Sequence, residues 1–280
     1  MVALTRTRLP LPGRGAAYVY DAYGPEDGVP MVLLHELGGS AKRWQGVVPP
    51  FAVGHRVHAF DLRGHGDSDW ASEYSHRLIA DDVIAAMDAL GISGAVVVGH
   101  STGGNVALLV AMHRPDLVSR LVIEDVVPPA PRERRSPGRA IRPMPHDWEC
   151  IASLLVEATR YDAWMWEQLE LLPMPTLIVA GGGNSHIPPA DLEKVARRIP
   201  KADLVHFDVG HFVHRNQPAE FADTVLAWLA SRCGCDASRV AALDAMRPAS
   251  RVGSPSLRTP PALASRLCSD SVPAAAHAAR

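Results

Sequence analysis

The chain has 280 residues, 47% of them hydrophobic and 21% charged, a globular composition long enough for one large α/β domain with additions. Its 28 Lys and Arg against 30 Asp and Glu leave a net charge of −2, which excludes the basic footprint of a nucleic-acid binder, and no apolar run reaches membrane-spanning length. The cysteines, Cys150, Cys233, Cys235 and Cys268, are too few and too unevenly spaced for a disulfide framework, and Cys233-Gly-Cys235 lacks the second pair that a zinc site needs.

The opening MVALTRTRLPLPGRG carries no apolar secretory core, so a reduced, cytoplasmic, soluble protein is expected. GAAYVYDAYG and VPMVLLHE read as strands, short, β-branched or aromatic, and bounded by Gly and Pro. SAKRWQGVVPPFA reads as a weak helix that Pro49 and Pro50 break, and HRVHAFDLRG as the next strand. HRLIADDVIAAMDALG has apolar residues at Leu78, Ile79, Val83, Ile84, Met87 and Leu90, a helical spacing that Gly91 closes. GAVVVGH is a fully apolar strand, as in a parallel sheet covered on both faces. GGNVALLVAMH is a helix ending before Pro115. VSRLVIEDV, PTLIVAGG and KADLVHFD are strands, and PADLEKVARRI and PAEFADTVLAWLASR are helices. This alternation predicts an α/β fold with a doubly wound, mostly parallel sheet.

Two stretches break the rhythm. Residues 127–173 open with VPPAPRERRSPGRAIRPMP, too rich in Pro and Arg for core, and continue as a helical piece with Trp148, Leu154, Leu155, Trp164, Trp166 and Leu169. An insertion at this point reads as a short helical lid between core segments 1–126 and 174–235. Residues 236–280 are rich in Ala, Ser, Pro and Arg and read as a disordered tail, with one short helix near Ser238–Met246.

The chemistry is concentrated in four short motifs, HELGGS, DLRGHGDS, GHSTGG and GHFVH, in that order. Gly99-His100-Ser101-Thr102-Gly103 lies between a buried strand and a helix, the context of a G-x-S-x-G elbow. Such a turn lifts the serine Oγ above the sheet and places the Thr102 N–H at a helix N-terminus, where it can face a developing oxyanion. The alternative is a serine in an ordinary turn.

Taken together, the motifs resemble the α/β-hydrolase superfamily over roughly residues 15–232. The resemblance implies Ser101 as nucleophile, Leu37 and Thr102 as oxyanion-hole donors, and a structural turn for Asp61–Ser68. It implies His211, in Gly210-His211 before the final helix, as the base, with His214 as the competitor. His55, His58 and His113 are expected on solvated faces or as satisfied core groups. The usual place of the superfamily's acid falls on Asn184, and an amide cannot stabilise an imidazolium as a carboxylate does. A minority of the superfamily, some haloalkane dehalogenases among them, places the acid one strand earlier, which lands here on Asp125. Glu124, Asp208 and a triad with Asn184 are the alternatives.

Glu36 stands where the superfamily usually has Gly, and it is expected either to point outward or to contact substrate or modulate a histidine. Trp148, Trp164 and Trp166 are expected to supply apolar wall to the substrate site or to pack the lid on the body. The implied reaction is hydrolysis of a small to medium carboxylic ester through an acyl-enzyme, without metal or organic cofactor. A serine at position 101 argues against dehalogenase and epoxide-hydrolase chemistry, which use an aspartate there. Perhydrolase, lactonase or C–C hydrolase activity on the same residues, or a non-catalytic ligand-binding protein, are the other readings. The expected partner is a small ester or acyl substrate, with no nucleic acid or membrane, and the oligomeric state is left open.

Overall fold

Valine, leucine and isoleucine dominate the central strands, and burial on both faces is the consequence. In the computed structural model, which describes residues 5–13, 16–131 and 146–232, β3 (Val29–Leu34), β5 (Ala95–His100) and β6 (Val118–Glu124) form the middle of an eight-stranded sheet. All six residues of β5 are buried. The strand order is β1-β2-β4-β3-β5-β6-β7-β8. The order uses β1 (Thr5–Leu11), β2 (Ala16–Tyr23), β4 (His55–Asp61), β7 (Thr176–Ala180) and β8 (Ala202–His206). β2 is antiparallel to both β1 and β4, and the remaining pairs are parallel.

Helices cover both faces. In chain order they are α1 (Val48–Phe51), α2 (His76–Ala89), α3 (Thr102–His113), α4 (Trp148–Glu157), α5 (Ala163–Gln168), α6 (Pro189–Arg198), α7 (Val213–Asn216) and α8 (Pro218–Ser231). One core packs Ile79, Val83, Leu108 and Leu109 of α2 and α3 against the sheet. The other packs Trp44, Phe51, Phe221 and Val225 against its opposite face. Ser75 starts α2 by accepting a hydrogen bond from the Leu78 N–H at 3.1 Å.

Three local expectations are corrected. Pro49 and Pro50 do not break a helix. They sit in the first turn of α1, where the missing N–H has no intrahelical partner to lose. The first strand, β1, is absent from the sequence reading because TRTRLPL is a mostly exposed edge with a proline, without a full apolar alternation. It is held through Arg6, whose guanidinium bonds Asp21 at 2.7 Å, Asp61 at 2.5 Å and Asp67 at 2.6 Å. Finally, Val127, Pro128 and Pro129, the start of the Pro/Arg-rich stretch, are buried rather than exposed. Residues 132–145 of that stretch, the tail at 236–280 with its Ser238–Met246 helix, and Cys233, Cys235 and Cys268 lie outside the described residues. Cys150 is buried. Among the described residues, no helix is long and apolar enough to cross a membrane.

Candidate active site

Ser101 occupies the sharp turn from β5 into α3, at φ 52° and ψ −119°. A non-glycine residue at positive φ is strained, and the turn keeps it there through close packing on both sides. A Cβ on Gly99 would meet the Gly103 carbonyl oxygen at 2.3 Å, and one on Gly103 would meet the Leu34 carbonyl oxygen at 2.2 Å. Larger residues at either position would push α3 off the strands that carry the loop after β3. The Ser101 N–H donates to the Glu124 carbonyl at 3.1 Å, which ties the turn to the end of β6.

Asp125 follows β6 and is also held at positive φ, 48°. It is fully buried, and its N–H donates to the Val179 carbonyl at 2.7 Å. Its Oδ1 accepts the Gly181 N–H at 2.8 Å. Its Oδ2 accepts from His211 Nδ1 at 2.7 Å and from the Ser185 hydroxyl. Ser185 is in turn held as acceptor of the Ile187 N–H at 3.0 Å. The carboxylate is thus fixed in place before it meets the imidazole. Asn184 is exposed and donates to Asp208 Oδ1 at 3.3 Å, away from His211.

Glu124, one residue earlier, projects from the other side of the strand, as the period of two requires. It is fully buried and accepts from His214 Nδ1 at 2.7 Å and from the His214 N–H at 3.0 Å. The two candidate histidines therefore have separate carboxylate partners.

A cavity of about 250 Å³ opens over this turn. Ser101, Leu37, Thr102, Asp125 and His211 all line it. Thr102 is the first residue of α3, so its N–H is one of those a helix leaves without an intrahelical partner. The loop of Leu37 is braced from below by the DLRGHGDS turn. His65 Nε2 accepts the Gly38 N–H at 3.0 Å, and Asp61 Oδ1 accepts the Ala41 N–H at 2.7 Å. Burial pushes the His65 pKa down to about 3, so it is a neutral acceptor.

Glu36 does not point outward. It is buried, with Oε1 3.0 Å from Arg43 Nε and Oε2 3.6 Å from His100 Nδ1. Burial acts to raise its pKa, but His100 and His35 outweigh it and hold the carboxyl at about 2. Burial acts to lower the His100 pKa, but Glu124 and Glu36 outweigh it and raise it. Glu36 contributes to the cavity wall.

The tryptophans do not line the cavity as described. Trp148 is half-buried at the start of α4. Trp164 stacks on His113 with ring centroids 5.2 Å apart and lies under the Arg77 guanidinium at 4.3 Å. Trp166 is buried, donates from Nε1 to the Pro129 carbonyl at 3.3 Å and faces Arg198. Trp164 and Trp166 pack the segment between β6 and β7 onto the body, because α5 turns its aromatic side toward His113 of α3 and Arg198 of α6. The wall is instead built by Leu154, Leu155 and Ala158 at the end of α4, together with Val127 and Pro128.

Three polar wall residues escaped the sequence reading, His76, Asn105 and His186. Asn105 was legible in principle, because it lies one helical turn beyond Ser101. His76 and His186 come from a helix start and a loop whose convergence no local pattern encodes.

The fold and this turn define an α/β-hydrolase. The sequence profile described as the alpha/beta hydrolase fold matches residues 29–149. The chain is 28% identical over 247 residues to the sn-1-specific diacylglycerol lipase ABHD11 of Mus musculus, covering 71% of this chain and 80% of the mouse protein. It is 42% identical over 118 residues to a non-heme chloroperoxidase of Streptomyces lividans, covering 41% of this chain and 43% of that one. The solved structure of Est816, described as an N-acyl homoserine lactone degrading enzyme, superposes with a TM-score of 0.64 at 26% identity, covering 78% of this chain and 98% of that one. The chain is a hydrolase of the α/β-hydrolase fold.

Proposed function

We propose that the protein is a serine hydrolase of small to medium carboxylic esters, with Ser101 as nucleophile, His211 as base and Asp125 as its acid. The observation that carries this reading is the 2.7 Å Asp125–His211 hydrogen bond in a cavity that also holds the strained Ser101. Asp125 accepts the Nδ1 proton, so His211 presents Nε2 as the basic nitrogen. Ser101 Oγ attacks the ester carbonyl carbon and its proton passes to His211. The N–H groups of Leu37 and Thr102 receive the oxyanion. Collapse of the tetrahedral intermediate expels the alcohol, which takes the proton from His211 and leaves an acyl-Ser101. His211 then deprotonates a water that attacks the acyl carbon, and the acid leaves as the proton returns to Ser101.

Lactone hydrolysis is the second reading. The polar wall residues Asn105 and His186 favour it, as does the likeness to the lactone-degrading Est816. The same residues would carry it, because a lactone is a cyclic ester.

The experiment is turnover of p-nitrophenyl esters of increasing acyl length, and of N-acyl homoserine lactones, by wild type and Ser101→Ala. Activity that vanishes in a folded Ser101→Ala supports the assignment. Activity retained in that variant overturns it.

A further inference from the structure

Behind His211, three buried side chains, one of them packed on Trp44 and Phe221, each turn one atom toward a common point. They are Glu36 from the loop after β3, His100 from the end of β5, and His214 from α7. Their ligand-type atoms all lie within 4.8 Å of one another. Among the described residues, Glu36 Oε2, His100 Nδ1 and His214 Nε2 each have no hydrogen-bond partner. Buried polar atoms are rarely left so, and three facing one another call for a shared occupant.

The other polar atom of each side chain is engaged. Glu36 Oε1 is 3.0 Å from Arg43 Nε. His100 Nε2 donates to the His211 carbonyl at 2.8 Å, and His214 Nδ1 donates to Glu124 at 2.7 Å. In the neutral rings these bonds place the protons on the outer nitrogens and leave lone pairs on His100 Nδ1 and His214 Nε2. Three acceptors then face one another. A water molecule has two protons and cannot satisfy all three. A proton on His100 would point at Glu36 from 3.6 Å, beyond hydrogen-bond range, and would leave His214 without a donor. A cation satisfies all three.

We propose that Glu36, His100 and His214 bind one divalent transition-metal ion of the zinc class. Two imidazoles and a carboxylate suit such an ion, and its ligands, at about 2.0–2.1 Å from the metal, stand roughly 3.4 Å apart. The Glu36–His100 pair is already 3.6 Å apart. The surroundings are those of a metal site, since a ligating histidine characteristically gives its outer N–H to a carboxylate or a backbone carbonyl. His214 does the first and His100 the second. The ion would compensate the buried Glu36 and Glu124 charges. It would also clamp the Glu36 turn that carries Leu37 to the His211 main chain. Its role is structural, and the site is independent of the ester-hydrolase reading.

The test uses full-length, untagged protein stripped with dipicolinate and titrated with Co²⁺, then Zn²⁺, for wild type, Glu36→Gln and His214→Gln. The expected result is one equivalent of Co²⁺ per chain, with visible d–d bands, displacement by Zn²⁺ and a raised Tm. Affinity should fall at least about tenfold in both variants. If His214→Gln does not fold, Glu36→Gln, nearly isosteric, decides. No uptake by wild type overturns the proposal. Uptake unchanged in a folded Glu36→Gln also overturns it, and would assign the metal elsewhere, for instance to Cys233 and Cys235.

Discussion

Glu124 and Asp125 are sequence neighbours that serve two different histidines, Glu124 holding His214 and Asp125 holding His211, each at 2.7 Å. The strand's alternation sends one carboxylate to each histidine. Both are fully buried, so neither can exchange its partner for solvent.

Asp125→Asn should lower kcat by roughly three to four orders of magnitude, because the amide no longer holds the imidazole in its working tautomer. Asn184→Ala should change kcat by no more than about twofold, as expected for an exposed side chain turned away from the histidine. Steady-state ester hydrolysis, with circular dichroism to verify folding, measures both. Equal loss in the two variants would return the acid's role to the loop after β7.

Gly103→Ala places a methyl group 2.2 Å from the Leu34 carbonyl oxygen, an impossible separation that must push α3 and β3 apart. The expected cost is about 1–3 kcal/mol of stability. Because β3 leads directly to Leu37, kcat should fall with it. Urea unfolding and kinetics on the same sample separate the two effects.

Stability should decline as pH falls below about 6.5. Burial, with the added repulsion of neighbouring positive charge, lowers the folded-state pKa of His58 to about 4 and of His65 to about 3. Both are neutral when folded, whereas in the unfolded chain they take up protons near pH 6.5. Below that pH the unfolded state binds more protons, so the stabilisation present above it is lost progressively toward the folded-state values. Urea unfolding at pH 7, 6 and 5 gives the slope, and His58→Phe should make it shallower. An unchanged slope would remove His58 from the explanation.

Trp166→Ala should destabilise the protein by about 3–5 kcal/mol through the cavity it leaves, while KM for short esters stays within about twofold. The indole ties α5 to the Pro129 carbonyl and is not among the residues that line the cavity. A large rise in KM with intact stability would put Trp166 back in the substrate wall.

Much of this was legible locally. Apolar strands, amphipathic helices and the elbow at Ser101 depend on neighbours a few residues apart, and their periodicity shows in the chain. The single-residue alternation of β6 also separates Glu124 from Asp125, so their opposite directions could be read from the strand. The edge strand β1 could not be read in this way, since its stability comes from Arg6 reaching acids up to 61 positions away.

What tertiary structure alone decided is which distant groups meet. The β3-β5-β6-β7 order sets the Ser101 turn, Asp125, and the loop of Gly181 and Ser185 side by side. It also turns Glu36 inward to His100, a place the sequence left open between solvent and a contact with substrate or a histidine. Residues on separate strands converge because hydrogen-bonded strands lie about 4.8 Å apart whatever their separation in the chain. That spacing brings Glu36 and His100 together, and the hydrogen bond from His214 to Glu124 of β6 brings α7 to them.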